Sequence, residues 1–178
     1  GPDWSGSYSD EFCILMHVRL SIVDVESGAQ PLHDILTKRV LTVNGEIYNH
    51  KELSNTLAQN HKWKTKSDCE ILLYLYDEFG VNFLNELDGI FSFCIYDPKT
   101  KEYLIVRDHI GIIPLYIGWD EKGITYIASE MKAIEKRCVK LQEFPPGHYY
   151  FGSKKKFIKW YVPIWENKVP NEIFSMKK

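Results

Sequence analysis

The length and composition of the chain are those of one ordinary globular domain. Its 178 residues suffice for a sizeable core, and 44% hydrophobic with 26% charged residues excludes a disordered chain. The formal net charge is −2, so no excess of positive charge favours nucleic acid or an anionic membrane as a partner. No apolar run is long enough to span a bilayer, and the first residues do not resemble a signal peptide. We therefore expect a cytoplasmic domain.

The cysteines and histidines do not form any recognisable metal motif. Cys13, Cys69, Cys94 and Cys138 lie far apart, in or beside apolar stretches, and none is spaced as C-x-x-C. We expect them to be reduced, partly buried thiols. The six histidines are equally scattered, so the sequence predicts no metal site.

Short apolar runs separated by turn residues predict a strand-rich fold. The apolar run over residues 40–43 ends at Asn44-Gly45. The run over residues 90–96 is so apolar that we expect both of its faces to be covered. The predicted strands span residues 12–18, 40–43, 90–96, 103–106, 115–118, 124–128, 149–151 and 157–161.

Four segments predict helices. Asn49 with Glu52, and Ser67 with Glu70, have the spacing of capping boxes. After Ser67, apolar residues recur on one helical face over residues 71–79, and Gly80 supplies a stop. Shorter helices are predicted over residues 83–87 and from a Ser129 cap to residue 136. Strands with a few helices grouped outside them indicate an α+β fold, and residues 163–178 are typical of a linker.

Five segments carry a specific resemblance. They are Arg19-Leu20-Ser21-Ile22-Val23-Asp24 with Gly28-Ala29-Gln30-Pro31-Leu32, then Val43-Asn44-Gly45-Glu46-Ile47-Tyr48-Asn49-His50, Ser67-Asp68-Cys69-Glu70, Arg107-Asp108-His109-Ile110-Gly111-Ile112-Ile113-Pro114-Leu115-Tyr116 and Ser129-Glu130-Met131-Lys132-Ala133. In this order the chain closely resembles the class II glutamine amidotransferase domain of glutamine-hydrolysing asparagine synthetases. The resemblance covers residues 1–161, and residues 162–178 would begin the linker to a synthetase domain.

The resemblance implies a four-layer αββα sandwich of the N-terminal-nucleophile hydrolase type. Members of the family hydrolyse glutamine and pass ammonia to a separate site, where ATP activates aspartate for conversion to asparagine. No cofactor is expected in the amidotransferase domain itself, whereas ATP and magnesium are expected in the synthetase domain of the same polypeptide. A homodimer is compatible with this arrangement.

Glutamine makes chemical demands that the resembling segments can meet. Its α-carboxylate calls for a planar bidentate cation, and its α-ammonium group calls for an anion. The resemblance assigns the carboxylate to Arg19 and the ammonium group to Asp68, with Glu46 nearby. The pocket walls would come from Leu20, Ile22 and Val23.

The oxyanion formed from the glutamine amide needs preorganised N–H donors. The resemblance assigns this role to the side-chain amide of Asn44 and the backbone N–H of Gly45, where a missing Cβ permits close approach.

Each of these residues also has a purely structural interpretation. Taken alone, Arg19 is typical of a surface cation, Asp68 of an acid in a first helical turn, and Asn44-Gly45 of a type I′ hairpin turn. Glu46 could simply be solvated. Their occurrence together within the family pattern favours the functional interpretation.

The resemblance also implies parts that these residues do not supply. The family nucleophile is an N-terminal cysteine whose own α-amine acts as base, and it would lie with the first strand upstream of Gly1. None of the four cysteines of the chain has such an amine. No Ser-Gly-Gly-x-Asp-Ser or Walker-type loop occurs, so the ATP site is expected elsewhere.

Two alternatives stay open at this point. One is the amidotransferase domain of another synthase, making an amino sugar, a nucleotide precursor or a β-lactam, which the Gly28-Ala29-Gln30-Pro31 segment disfavours. The other is a catalytically dead glutamine-binding or scaffold domain that has lost its nucleophile. A Met-Cys start shortly upstream would distinguish the enzyme from the dead domain.

Overall fold

The fold is seen in a computed structural model that describes residues 4–19, 29–57 and 63–163. The described residues form eleven strands and two α-helices, with three short 3-10 turns at Asp68–Glu70, Gly80–Glu86 and Met131–Ala133. The strands are β1 Trp4–Ser9, β2 Ile14–Arg19, β3 Leu32–His33, β4 Val40–Ile47, β5 Gly89–Asp97, β6 Glu102–Arg107, β7 Tyr116–Trp119, β8 Thr125–Ala128, β9 Lys140–Glu143, β10 His148–Phe151 and β11 Lys156–Lys159; the helices are α1 His50–Thr56 and α2 Ile71–Phe79.

A six-stranded antiparallel sheet forms the centre of the domain, in the order β11-β10-β6-β5-β4-β3. Successive side chains of β5 point to opposite faces of this sheet. Phe91, Phe93 and Ile95 pack in the cluster that contains α1, α2 and the Gly80–Glu86 turn, whereas Cys94 and Tyr96 pack in the other cluster. Because both faces of β5 are covered, its nearly continuous apolar sequence is explained.

The second face of the central sheet packs against a smaller sheet, in the order β8-β7-β9, and against the β1-β2 hairpin. Ile117 from β7 and Leu15 from β2 are buried in this contact with Ile105 and Tyr150 of the central sheet. The described residues therefore supply a helical layer, the central sheet and a second sheet layer. The α+β sandwich predicted from the sequence is confirmed.

One strand prediction was wrong in a way that matters for the site. The strand predicted to stop at residue 43 continues as β4 to Ile47, and its pairing with β5 runs unbroken through Asn44 opposite Ser92 and Gly45 opposite Phe91. Asn44-Gly45 is therefore not a hairpin turn. Without a Cβ on Gly45, the β5 backbone can come close enough to keep the pairing intact.

Two helix predictions also need correction. Asn49 precedes α1 but its side chain caps nothing there; it bonds instead to the backbone of Glu86 and Asp88. The helix predicted from Ser129 to residue 136 is only the 3-10 turn Met131–Ala133, which begins after Glu130. None of the three turn residues is buried, and Ile134 just after them is a single buried residue, too little to stabilise a longer helix.

The segment from Ser67 onward fulfils most of its prediction. Ser67 accepts a hydrogen bond from the N–H of Cys69, and α2 ends at Gly80 with a φ of 56°. Glu70, however, does not complete a capping box, because its carboxylate accepts bonds from Lys64 and Thr65. The predicted linker beyond residue 163 lies outside the described residues. Among the residues described, no helix has the length and apolar character needed to cross a membrane.

Candidate active site

The end of β4 is shaped by a glycine that no other residue could replace without movement. Gly45 has a φ of 135°, and a Cβ built there would lie 2.6 Å from the Cα of Phe91 on β5. Contacts of this kind are far inside van der Waals distance, so the strand pair can close here only around glycine. Asn44 and Glu46, on either side, are exposed to solvent.

Asp68 is held beside this strand end by a backbone contact. Its carboxylate accepts a 2.7 Å hydrogen bond from the N–H of Ile47, and Asp68 itself begins the turn that Ser67 caps. The bond uses one carboxylate oxygen, Oδ2. Two carboxylates, those of Glu46 and Asp68, are thus brought to the same end of β4, where a cationic ligand group would be attracted.

The side-chain amide of Asn44 points across the surface towards the loop after β8. Its Nδ2 donates to the hydroxyl of Ser129 at 3.4 Å, a long bond in which the amide is held only weakly. An exposed amide with so weak a partner is available to donate to a ligand.

Gln30 makes the most regular contact near the site. Its side-chain Oε1 accepts from the N–H of Val43 at 2.7 Å, and its Nε2 donates to the C=O of Val43 at 2.9 Å. The amide thus satisfies both backbone groups of the residue immediately before Asn44. In the sequence Gln30 stands out only as part of the Gly28-Ala29-Gln30-Pro31 segment, and no local pattern there indicates this contact.

Asp108 supports the same region from behind β5. Its N–H donates to the C=O of Phe91 at 2.8 Å, and its carboxylate accepts from the N–H of Phe91 at 3.3 Å. The carboxylate also accepts from four backbone N–H groups, those of Ile110, Gly111, Ile112 and Ile113. Asp108 is fully buried, and its hydrogen bonds join the strand that faces Gly45 to the loop over residues 110–113.

Arg107 braces the other side of that loop. It is 3% exposed and donates to the backbone carbonyls of Gly111, Ile113 and Phe144 and to the carboxylate of Glu143. The Arg107-Asp108 pair therefore has a structural role, which the sequence pattern had not distinguished from a functional one.

None of the four thiols is poised as a nucleophile. Burial, together with the charges of Asp68 and Glu46, raises the pKa of Cys69 well above its usual value. Burial and the charge of Asp10 raise the pKa of Cys13 to about 12, and burial also raises the pKa of Cys94 and of Cys138. All four are unpaired thiols that stay protonated at neutral pH.

A cavity of about 360 Å³ opens beside the site and is lined by Asp68, His50, Trp63 and the start of α2. Of the predicted ligand-binding residues whose side chains the structure describes, only Asp68 lines it. Within the described ranges, no group of three or more His, Cys, Asp or Glu side chains could hold a metal ion.

The structure brings together four of the predicted site residues: Asn44, Gly45, Glu46 and Asp68. Arg19 is described by its backbone, as the last residue of β2, and Leu20, Ile22 and Val23 lie outside the described residues.

A family model described as a glutamine amidotransferase domain matches residues 1–158. The chain belongs to the glutamine amidotransferase domain family. The family predicted from the sequence segments is thereby confirmed.

Several curated relatives of this amidotransferase domain are glutamine-hydrolysing asparagine synthetases. Asparagine synthetase B of Escherichia coli is 50% identical over 165 residues, which cover 93% of this chain and 30% of the relative. A probable asparagine synthetase of Dictyostelium discoideum is 49% identical over 167 residues, and one of Schizosaccharomyces pombe is 50% identical over 181 residues. The chain spans about a third of the length of these relatives.

Two solved structures share the fold. The glutamine phosphoribosylpyrophosphate amidotransferase of Bacillus subtilis, complexed with ADP and GMP, superposes with a TM-score of 0.70 at 27% identity and covers 85% of this chain and 35% of its own. A structure titled as the allosteric regulatory enzyme of purine biosynthesis superposes with a TM-score of 0.66, also at 27% identity, and covers 78% of this chain and 32% of its own. The amidotransferase domain therefore has the N-terminal-nucleophile hydrolase type of sandwich that was predicted.

Proposed function

We propose that this amidotransferase domain is the glutaminase part of a glutamine-hydrolysing asparagine synthetase. It would hydrolyse glutamine to glutamate and ammonia, and the ammonia would pass to a synthetase domain of the same polypeptide. That domain would make asparagine from aspartate and ATP. Identities near 50% along more than nine-tenths of the chain support this assignment over other amidotransferases.

One observation carries the proposal: Asp68 is bonded to Ile47, at the end of the strand that contains Asn44 and Gly45. Asp68, proposed as the anion for the substrate ammonium group, is thus bonded three residues along β4 from Asn44, and Asn44 and Gly45 are the proposed donors to the oxyanion. The Asn44 side-chain amide and the Gly45 N–H would stabilise the negative charge that develops on the amide oxygen of glutamine. Glu46 would add to the negative charge around the substrate ammonium group.

The remaining contacts with glutamine are proposed for the end of β2 and the residues after it. Arg19 would bind the α-carboxylate through two parallel N–H donors, which lysine could not supply in the same plane. Leu20, Ile22 and Val23 would line the pocket. The nucleophile would be a cysteine with a free α-amine, which none of the thiols at positions 13, 69, 94 and 138 has.

The cofactors of the whole reaction are proposed for the synthetase domain. ATP and magnesium would bind there, and the amidotransferase domain would need none. Four unpaired thiols fit a protein of a reducing compartment such as the cytoplasm. We propose no nucleic-acid or membrane partner, and a homodimer remains compatible with the fold.

The proposal is tested with the full-length gene product. Glutamate and asparagine are measured together in the presence of glutamine, aspartate, ATP and magnesium, and then with ammonium in place of glutamine. We expect asparagine from both nitrogen donors and one glutamate released for each asparagine made from glutamine. Glutamine hydrolysis without any asparagine, from either donor, would point to another synthase, and no reaction with glutamine would contradict the glutaminase assignment.

A further inference from the structure

The edge of β4 that faces β3 is the edge from which the proposed backbone donor of the oxyanion hole projects. β3 is only two residues long and pairs Leu32 with Leu41 and His33 with Val40. Continuing the same register would place Gln30 opposite Val43. At that position the hydrogen bonds to Val43 come from the side chain of Gln30, through both its oxygen and its nitrogen.

The direction of the peptide groups makes this contact relevant to Gly45. The C=O of Val43 points at Gln30, so across a planar trans peptide the N–H of Asn44 points the opposite way, towards β5. Alternation along the strand then turns the N–H of Gly45 back to the edge where Gln30 lies. Gln30 is therefore hydrogen-bonded to β4 at the same edge from which the proposed backbone donor of the oxyanion hole projects.

The opposite side of the strand is fixed as well. The β5 backbone lies against Gly45 with no room for a Cβ, and Asp108 holds Phe91 in place behind it. Movement of β4 towards β5 is thus blocked, and the two bonds from Gln30 oppose movement along the strand or away from β5. A shift of about 1 Å in a catalytic group can cost roughly a hundredfold in rate. Loss of the two Gln30 bonds should therefore lower the rate of glutamine hydrolysis.

We propose that Gln30 is a positioning residue for glutamine hydrolysis. Its side-chain amide holds the backbone of β4 so that the Asn44 side-chain amide and the Gly45 N–H are directed at the developing oxyanion. This inference rests on the proposed function. The oxyanion forms only after attack on the amide, so Gln30 acts mainly on kcat and little on the KM for glutamine.

Two variants separate the two bonds. Gln30→Met removes both bonds and keeps a side chain of similar length. Gln30→Glu is nearly isosteric and, when ionised, still accepts from the N–H of Val43 but places a second acceptor against its C=O. Gln30→Glu also keeps the measurement possible if the methionine variant does not fold.

Asn49, two residues past the end of β4, offers a matched control. Its side chain makes the same kind of two-bond amide contact, accepting from Asp88 at 3.0 Å and donating to Glu86 at 2.8 Å, but neither bond is to the residue next to a proposed oxyanion donor. Asn49→Leu should lower the thermal midpoint as Gln30→Met does and leave the kcat for glutamine hydrolysis within about twofold of wild type.

The experiment measures kcat and KM for glutamine, ammonium-driven synthesis and the thermal midpoint in the full-length protein. We expect both Gln30 variants to lower the glutamine kcat by roughly 10- to 100-fold, with KM and ammonium-driven synthesis within about twofold of wild type. An unchanged kcat in either Gln30 variant, or an equal fall in Asn49→Leu, would reduce Gln30 to a structural residue. If the wild type itself hydrolysed no glutamine, the proposed function would fail first and this inference with it.

Discussion

The carbonyl oxygen of Ile90 lies 2.0 Å from the position that a Cβ atom on Gly45 would occupy. The two strands that carry these residues therefore pack at a distance that only glycine allows. β4 stays paired with β5 through this point, and Asn44 and Glu46 on either side of Gly45 are exposed at the candidate site.

Gly45→Ala should be among the most destabilising single substitutions in the chain. The new methyl group would collide with backbone atoms of β5 that cannot move alone, at a cost of roughly 4 kcal/mol or more in the free energy of unfolding. Gly123→Ala is the control, because Gly123 also has a positive φ, of 79°, but nothing lies within 4 Å of its Cβ position. There we expect a loss of about 1–2 kcal/mol. Chemical denaturation measures both, and equal losses would contradict the close approach.

Asp68→Asn should separate the electrostatic role of Asp68 from its structural one. The asparagine keeps a side-chain oxygen for the N–H of Ile47 but removes the charge proposed to bind the substrate ammonium group. We expect the KM for glutamine to rise roughly 10- to 100-fold, the equivalent of one lost charge-assisted hydrogen bond, with little change in the thermal midpoint.

Glu52→Gln is the matched control for Asp68, since Glu52 is also an acid in a first helical turn but is exposed on α1. Its KM for glutamine should stay at the wild-type value. If Asp68→Asn likewise left KM unchanged, Asp68 would be only a first-turn acid.

The stability of the domain should fall at alkaline pH because of Cys13. Burial and the charge of Asp10 raise the pKa of this thiol from its ordinary value of 9.0 to about 12 in the folded state. The unfolded chain therefore releases the proton first, and the free energy of unfolding decreases as pH rises from about 9 towards 12. Cys13→Ser should make this decrease shallower in urea titrations at pH 7.5, 9 and 10.5. Parallel curves for the two proteins would show that Cys13 does not contribute.

Much of the sheet could be predicted from local pattern alone. The strands β5 and β6 have both faces buried. Burial on both faces requires a nearly continuous apolar run, which is visible in the sequence. The helix α2 could also be predicted from the sequence, because its apolar face and its end at Gly80 are local features.

The errors came from contacts between residues far apart in the chain. Asn49 has the local spacing of a helix cap, yet its amide bonds to residues 37 and 39 positions away, which no local pattern can indicate. The hairpin interpretation of Asn44-Gly45 failed for the same reason, because the partner of Gly45 is Phe91. β1 and the two-residue β3 had no alternating apolar pattern from which to be predicted.

At the candidate site, the residues proposed to contact glutamine could be named from the sequence, whereas the residues that hold them in place are seen only in the structure. The residue types suited to an oxyanion and an ammonium group could be named from what glutamine requires. The side chains that hold them, Gln30 and Asp108, act through hydrogen bonds to backbone groups of Val43 and Phe91. Every residue has the same backbone N–H and C=O groups, so the identity of Val43 or Phe91 does not indicate such a contact. The roles of Gln30 and Asp108 could therefore not be predicted from the sequence.

The most direct measurement compares Asn44→Ala with wild type in the full-length protein, using glutamine and then ammonium as nitrogen donor. The Asn44 amide meets full negative charge only in the tetrahedral intermediate, so its loss should lower the glutamine kcat by roughly 10²–10³-fold with a smaller effect on KM. Arg19→Ala should instead mainly raise KM, because its proposed ion pair with the glutamine carboxylate is the same before and during reaction. Exposed Asn85 supplies the control Asn85→Ala, which should behave as wild type. Ammonium-driven synthesis should be unchanged in all three variants; its loss in Asn44→Ala and Arg19→Ala would show that these residues only maintain the structure and would contradict the site.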